Sequence, residues 1–177
     1  MTKVLGICGS LRAESFNLKL LHHALDVFGG DYEIGSIRMP LYDGDLEDLE
    51  GAPIAARRLA TQIAEADAVI IATPEYNKSI PGGLKNALDW VSRLDGRPWQ
   101  DKPVSIMSAA AGRAGGERSQ YALRLALSPF APRLLTGREV LIGNASAEFG
   151  EDGRLSGERA IKALEANIAA LKALIPA

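Results

Sequence analysis

Two loop sequences carry the residues best suited to chemistry, and each follows a short apolar run that predicts a buried strand. Residues 9–17 read Gly-Ser-Leu-Arg-Ala-Glu-Ser-Phe-Asn, and residues 73–90 begin Thr-Pro-Glu-Tyr-Asn-Lys-Ser. Loops at the carboxyl ends of parallel strands are where open α/β sheets bind ligands. Together these loops predict a binding site for a flat, phosphorylated cofactor.

The segment at residues 9–17 has the features of a phosphate-binding loop. Gly9 lets the backbone turn tightly, and Arg12 supplies a cation whose planar donor group suits phosphate. Short polar side chains come from Ser10, Ser15 and Asn17. We expect a helix to begin at Ser15 or Phe16, with its free N–H groups and positive dipole end directed at the same point. A plain capped helix start, with Arg12 in solvent, is the alternative; the sequence has neither a Walker A nor a dinucleotide fingerprint here.

The segment at residues 73–90 is suited to enclosing a planar ring. The backbone amides of residues 74–77 can face a heterocycle, and Tyr76 can lie against the ring or at its edge. Pro81 and the two glycines after it permit a close turn into a helix. A third loop, at residues 108–116, consists mainly of small residues and leaves room for a ring beside the backbone. Convergence of the three loops predicts a site for flavin mononucleotide (FMN).

Alternating strands and helices must position these loops. Five short apolar segments predict strands, at Val4–Cys8, Tyr32–Ile37, Ala68–Ala72, Val104–Met107 and Val140–Ile142. Helical patterns of apolar residues lie between them and after the last one. This alternation predicts an α/β fold, with a parallel sheet, helices on both faces and one domain over residues 1–177. The second strand alternates polar and apolar residues as an edge strand does, which favours the strand order 2-1-3-4-5.

Three features outside these loops concern helix ends and the surface. We expect the last helix to begin near Ser156, which would be its N-cap. The acidic segment at residues 43–50 predicts a solvated loop, or a contact with a basic residue of a partner subunit. Trp90 and Trp99 predict an apolar surface, which we expect to form part of an interface between copies of the chain.

Composition excludes several classes of protein. The 177 residues are 47% apolar, and no run approaches the roughly 18 apolar residues of a membrane span. The formal charge of −2 argues against nucleic-acid and anionic-membrane surfaces. The first residues do not resemble a signal peptide, and the lone Cys8 can form no internal disulfide, so we expect a cytoplasmic protein. His22 and His23 have no companions at metal-ligand spacing, so we expect no metal site.

The same motifs resemble those of a known family. The sequence is similar to the NADPH-dependent FMN reductases, and within them to the bacterial quinone, azo-dye and chromate reductases. The similar segments are residues 9–17, 39–43, 73–90 and 115–124, spread over roughly residues 3–130. Lys78 departs from the family pattern, in which that position is more often aromatic or small. This lysine either favours anionic acceptors or nicotinamide phosphates at the mouth of the site, or is simply solvated.

The resemblance implies a flavodoxin-like three-layer fold, tightly bound FMN, and a homodimer or homotetramer. NADPH or NADH would be the co-substrate. By position, the residues implied at the phosphate and ribityl chain are Ser10, Arg12, Ser15, Phe16 and Asn17. Those implied at the isoalloxazine ring are Pro74, Glu75, Tyr76 and Asn77, with Ser108 and Ala110 completing the pocket.

The implied activity is a ping-pong transfer of hydride from NAD(P)H through FMN to quinones, azo compounds, free flavin or oxyanions such as chromate. Because the cofactor carries the chemistry, no catalytic residue is assigned; Tyr76 either shapes the acceptor site or only packs. Two alternatives stay open: a flavin reductase that supplies reduced FMN to a monooxygenase, and a flavodoxin-type electron carrier. The near-balanced charge weighs against the carrier, since strongly acidic surfaces suit carriers that meet basic partners.

Overall fold

The core of the fold is a parallel sheet with helices on both faces. The computed structural model describes residues 2–137 and 139–176. Within these residues the strands are β1 Lys3–Cys8, β2 Asp31–Gly35, β3 Ala68–Ala72, β4 Pro103–Ala109, β5 Arg133–Leu134 and β6 Val140–Ile142. They pair in parallel in the order β2-β1-β3-β4, and both β5 and β6 pair with β4. The predicted α/β class and strand order are confirmed.

Two details of the sheet differ from the sequence prediction. The second strand ends at Gly35 rather than Ile37, because the chain turns at Ser36, whose hydroxyl accepts a hydrogen bond from Arg38 N at 3.2 Å. The fifth position of the sheet is shared by two short strands: β5 pairs with the start of β4 and β6 with its end. Over the described residues the sheet therefore has six strands instead of five, with the predicted strand at residues 140–142 present as β6.

Helices cover both faces of this sheet. They are α1 Phe16–Phe28, α2 Gly44–Glu50, α3 Ile54–Glu65, α4 Gly82–Ser92, α5 Glu117–Leu127, α6 Ala145–Glu148 and α7 Glu158–Leu174, with a 3-10 turn at Ser128–Phe130. One apolar cluster joins the sheet to α1 and α7, and a second joins it to α3, α4 and α5. Because strand β3 is covered on both sides, all five of its residues are buried. In the described part of the chain, no helix combines the length and apolar character that crossing a membrane requires.

Two helices start where the sequence predicts, and both follow site loops. Helix α1 begins at Phe16 and is capped by the Ser15 hydroxyl, which accepts from Asn17 N at 3.2 Å. Helix α4 begins at Gly82, directly after Pro81, whose fixed φ suits the entry into a helix. Both loops therefore end at a helix N-terminus.

Two other local predictions are wrong in part: the N-cap at Ser156 and the loop at residues 43–50. Helix α7 begins after Gly157, because the N–H and hydroxyl of Ser156 both donate to Glu148 O, at 2.9 and 3.3 Å. Most of the acidic segment at residues 43–50 is helix α2 instead of a loop. Its N-cap is Asp43, whose carboxylate accepts a backbone N–H, and its first turn is acidic, which suits the positive end of a helix.

Both tryptophans are buried, so the predicted apolar surface at Trp90 and Trp99 is wrong. Trp90 is 0% exposed, and its indole Nε1 donates to Pro40 O at 2.8 Å. Its ring meets that of Tyr42 edge-on, with centroids 5.0 Å apart. Trp99 is 1% exposed and packs in the cluster beneath α3 and α4. Any interface between copies of the chain has to use other residues.

A buried histidine fastens helix α1 to the segment before α7. His23 Nδ1 accepts a hydrogen bond from Leu155 N at 3.1 Å, which requires this nitrogen to be unprotonated. Beside it, Arg154 pairs with Asp26 of α1 at 2.5 Å. Burial is the main cause that lowers the pKa of His23, and the positive charge of Arg154 adds to it. The carboxylates that oppose this shift are those of Asp26, Asp152 and Glu165.

Acid should therefore weaken this contact and the fold. The folded protein holds His23 neutral, with a pKa below the value of about 6.5 expected of the unfolded chain. Its contribution to stability is complete above that unfolded value and is lost as the pH falls through the folded-state pKa. We expect the free energy of unfolding in urea to fall between about pH 7.5 and about pH 5. The fall should be shallower in His23→Asn, because asparagine does not titrate and its amide oxygen can accept the Leu155 N–H.

The control is His22→Asn, a neighbouring substitution on the exposed face of α1. This variant should keep the wild-type pH dependence, because it leaves the hydrogen bond between His23 and Leu155 in place. Identical pH dependences for wild type and His23→Asn would show that the histidine contact does not govern acid stability.

Candidate functional site

The carboxyl ends of β1, β3 and β4 bring the three predicted loops together around a cavity of about 240 Å³. Nine of the eleven predicted site residues line it: Ser10, Arg12, Ser15, Phe16, Asn17, Pro74, Glu75, Tyr76 and Ala110. Asn77 and Ser108 do not line it, whereas Glu14, Ala109 and Ala111, which sequence reasoning missed, do. Each missed residue is a neighbour of a predicted one in the same loop, so its position in the loop was the available signal.

The first loop turns sharply over the end of strand β3. Gly9 N donates to Ala72 O at 2.8 Å, and a Cβ at Gly9 would lie 2.8 Å from Thr73 Oγ1. Glycine is therefore required by close approach. Ser10 Oγ then accepts from Arg12 N at 3.2 Å, which closes a tight turn and leaves the arginine side chain exposed. The arginine and the first turn of α1 consequently border the same cavity.

Asn17 joins the first loop to the third. Its amide nitrogen donates to Ala109 O at 2.8 Å, and its amide oxygen accepts from Ala109 N at 2.9 Å. The residue is 2% exposed, so both bonds are shielded from water. Because each half of the amide has a backbone partner, Asn17 fixes the spacing between the two loops at the edge of the cavity.

The second loop folds back on itself in a two-residue turn. Tyr76 N donates to Ser79 O, and Ser79 N donates to Tyr76 O, both at 3.0 Å. The central residues, Asn77 and Lys78, have φ values of 50° and 66°, the left-handed region that such turns require. Asparagine tolerates this region, whereas lysine is strained in it. The turn holds Tyr76 at the cavity, with 47% of the residue exposed, and directs Asn77 and Lys78 into solvent.

Glu75 ties the second loop to the start of helix α5. One carboxylate oxygen accepts from Arg118 N at 3.2 Å, and the other lies 4.0 Å from the Arg118 guanidinium. A carboxylate at a helix N-terminus also interacts favourably with the helix dipole. The side chain of Glu75 therefore serves mainly to anchor the loop.

The third loop is supported from behind by buried polar side chains. Ser108 Oγ donates to Gly115 O at 2.6 Å and accepts from Gln120 Nε2 at 2.8 Å. Gln120 Nε2 also donates to Val140 O at 2.9 Å, which links the loop to strand β6. Gly115 has a φ of 63°, and a Cβ there would lie 2.8 Å from the backbone of Leu141. Ser108 is thus fully buried and faces away from the cavity, which explains its absence from the lining.

The lining suits FMN at both ends. A serine-rich loop, an exposed arginine and a helix N-terminus supply donors for a phosphate. At the other end, Ala109, Ala110 and Ala111 leave the backbone accessible to a flat ring, and Tyr76 stands beside them. Over residues 2–137 and 139–176, no group of three or more His, Cys, Asp or Glu side chains is placed to hold a metal ion.

Comparisons with known proteins agree with this geometry. The family model for NADPH-dependent FMN reductase matches residues 2–147. An NAD(P)H-dependent FMN reductase of Pseudomonas aeruginosa is 42% identical over 173 residues, which make up 96% of this chain and 93% of that protein. A quinone reductase of Escherichia coli is 44% identical over 126 residues, 69% of this chain and 67% of that protein.

A solved structure extends the similarity to the whole fold. FerB of Paracoccus denitrificans, a flavoenzyme NAD(P)H:(acceptor) oxidoreductase, aligns with a TM-score of 0.89 at 31% identity, covering 99% of this chain and 97% of that one. These matches confirm the resemblance seen in the motifs, and with it a flavodoxin-like, FMN-dependent oxidoreductase that uses NAD(P)H. The chain belongs to the NADPH-dependent FMN reductase family.

Proposed function

We propose that this protein is an FMN-dependent NAD(P)H oxidoreductase that reduces quinones. The proposal rests on one observation above all: a shared cavity with phosphate donors at one end and a wall of small residues at the other. The similarity to the quinone reductase of Escherichia coli supports the acceptor class. When bound, FMN would take a hydride from NAD(P)H and pass it to the acceptor. Azo compounds, free flavin and oxyanions such as chromate are further acceptors under the same proposal.

The first loop would hold the phosphate and the ribityl chain. Arg12 can donate two parallel hydrogen bonds to a phosphate, with the hydroxyl of Ser10 beside it. The N-terminus of α1, capped at Ser15, adds N–H groups and the positive end of the helix dipole. Phe16 forms part of the wall, and Asn17 holds this end of the cavity against the loop after β4.

The second and third loops would enclose the isoalloxazine ring. The residues that would border the ring are Pro74, Glu75, Tyr76 and Ala110. Tyr76 stands half exposed at the cavity, where it would flank the substrates as they stack on the open face of the ring. Two predicted ring residues would act from outside the cavity: Asn77 shapes the turn, and Ser108 supports the third loop. We assign no side chain a catalytic role.

A second copy of the chain would cover three exposed aliphatic side chains on and beside helix α2. Leu41, Leu49 and Ile54 are 81%, 82% and 83% exposed, all within residues 41–54. Three large aliphatic side chains this close in sequence and this exposed are typical of an interface. The segment also adjoins helix α4, which follows the second loop of the site, since the Asn86 side chain donates to Pro40 O at 2.8 Å. We therefore expect a homodimer or homotetramer assembled through this segment.

The proposal also includes a cytoplasmic location and small molecules as the other partners. The single cysteine can form no internal disulfide, which suits a reducing compartment. The net charge of −2 offers no broad basic surface for nucleic acid.

The proposed activity predicts flavin absorbance bands in the purified protein. Under argon, one equivalent of NADPH should bleach these bands, and benzoquinone should restore them. If the protein loses its FMN during purification and needs added FMN for turnover, a flavin reductase that releases reduced FMN is favoured. Bands that neither NADPH nor NADH bleaches would favour an electron carrier. A colourless protein that binds no added FMN would contradict the proposal altogether.

Arg12→Ala should weaken FMN binding by about 1.5–3 kcal/mol, the usual loss for a hydrogen bond to a charged group. This corresponds to a rise of roughly 10- to 150-fold in Kd, measured by fluorescence titration of the apoprotein. Arg57→Ala is the control, because Arg57 donates to Ala52 O at 2.9 and 2.6 Å and does not line the cavity. An unchanged Kd in Arg12→Ala would place the phosphate elsewhere.

The proposed interface predicts the mass of the protein in solution. Light scattering at micromolar concentration should give a dimer or tetramer, and a double Leu49→Glu, Ile54→Glu variant should have a lower mass, because charges disrupt an apolar contact. Leu125→Glu is the matched control, since Leu125 lies on α5 and is 76% exposed. A monomeric wild type would contradict the interface, and a double variant that keeps the wild-type mass would place it elsewhere.

A further inference from the structure

A second cavity adjoins the proposed FMN site on the side of strand β2. Its volume is about 330 Å³, and it shares Ser10 and Arg12 with the first cavity. Its other walls come from the ends of β1 and β2 and from the residues that follow β2, including Ser36 and Arg38. Because Ser10 and Arg12 line both, the two cavities are neighbours at the first loop.

The same tripeptide pattern follows both strands beneath this cavity. Ser10-Leu11-Arg12 follows β1, and Ser36-Ile37-Arg38 follows β2. In each, the serine Oγ accepts a hydrogen bond from the backbone N–H of the arginine, at 3.2 Å. Since β1 and β2 are neighbouring parallel strands, the two turns lie side by side at the same sheet edge.

The two turns are also joined directly. Arg38 Nη2 donates to Leu11 O at 2.9 Å, so the second arginine reaches across to the first turn. This bond uses one of the five N–H groups of the guanidinium and leaves the others for a ligand. Arg38 is exposed and lines the cavity. The guanidinium is thus held in place with donors to spare.

The chemistry of this cavity suits a phosphate monoester. Two arginines and two serine hydroxyls line it, and none of its lining residues is acidic. A planar guanidinium binds phosphate through paired hydrogen bonds, and serine hydroxyls can donate to the remaining oxygens. Because Arg12 borders the FMN cavity as well, Arg38 is the cation that belongs to the second cavity alone.

We propose that this second cavity binds the 2′-phosphate of NADPH, and that Arg38 makes the enzyme prefer NADPH over NADH. The inference rests on the proposed function, which brings a nicotinamide nucleotide to the flavin ring in the neighbouring cavity.

The first test compares the two nucleotides in the FMN-loaded enzyme. Arg38→Gln should raise the ratio of the KM for NADPH to the KM for NADH by about 10-fold or more, the loss expected of a hydrogen bond to a charged group. Arg57→Gln is the control, because Arg57 is also an exposed arginine that donates to a backbone carbonyl. If Arg38 serves only to hold the Leu11 carbonyl in place, the two KM values should rise together. That result would overturn the proposal.

A binding measurement separates this inference from the proposed activity. Adenosine 2′,5′-bisphosphate should bind the loaded wild type in calorimetry and should bind Arg38→Gln about 10-fold or more weakly. Adenosine 5′-monophosphate, which has no 2′-phosphate, should not distinguish the two proteins. Equal binding of the bisphosphate to both proteins would overturn the inference, even if NADPH reduces the flavin. Conversely, if neither NADPH nor NADH reduces the bound flavin, the proposed function is refuted. Binding of the bisphosphate can still be measured in that case.

The lone cysteine reports whether the cavity is filled. Cys8 lines the second cavity, and burial raises the pKa of its thiol, so its reaction with a thiol reagent is slow. The bisphosphate should slow this reaction further in wild type but not in Arg38→Gln. Inorganic phosphate at the same concentration should protect much less. Equal protection by inorganic phosphate would mean a free-phosphate site and would overturn the assignment to NADPH.

Discussion

The proposed site depends on one buried side chain, the amide of Asn17. Strands β1 and β4 are not neighbours, since β3 lies between them, yet Asn17 at the start of α1 bonds both backbone groups of Ala109 at the end of β4. Leaving either of those backbone groups buried without a partner would reduce the stability of the fold by about 1–3 kcal/mol. The phosphate loop and the loop of small residues are therefore held at a fixed spacing before any ligand arrives.

Helix α5 fixes the second loop in a similar way and also supports the third. Glu75 accepts from Arg118 N in the first turn of α5, and Gln120 of the same helix donates to Ser108 and to strand β6. Many polar side chains around the cavity therefore form hydrogen bonds within the protein. Such preorganisation lowers the entropy cost of binding a rigid ring. The turn at Tyr76 is exposed at the mouth of the cavity, where two different substrates would enter in succession.

The sequence predicted what local patterns determine and missed what distant contacts determine. The buried strand Ala68–Ala72 and the Gly- and Pro-rich segments after it could be placed, because composition and spacing act within a few residues. The burial of Trp90 could not, because its indole is satisfied by the carbonyl of Pro40, fifty positions away in the chain. Within the site, loop positions follow from the sheet, but side-chain directions do not. Ser108 turns inward because the Gln120 side chain donates to its hydroxyl. Gln120 lies in the similar segment at residues 115–124, but a motif does not show which side chain it contacts.

The distribution of charge explains how a slightly acidic protein can attract anionic nucleotides. The net charge of −2 describes the whole sequence, whereas a small ligand meets only the charges near its own cavity. Among the described residues of the loops after β1, β2, β3 and β4, the cations are Arg12, Arg38, Lys78 and Arg113. Glu14 and Glu75 line the first cavity as well, whereas the second cavity has no acidic lining residue. Local potential, rather than net charge, governs the encounter with a small ligand. The second cavity, which has two arginines and no acidic lining residue, can steer a dinucleotide while remaining too small for the long phosphate track of a nucleic acid.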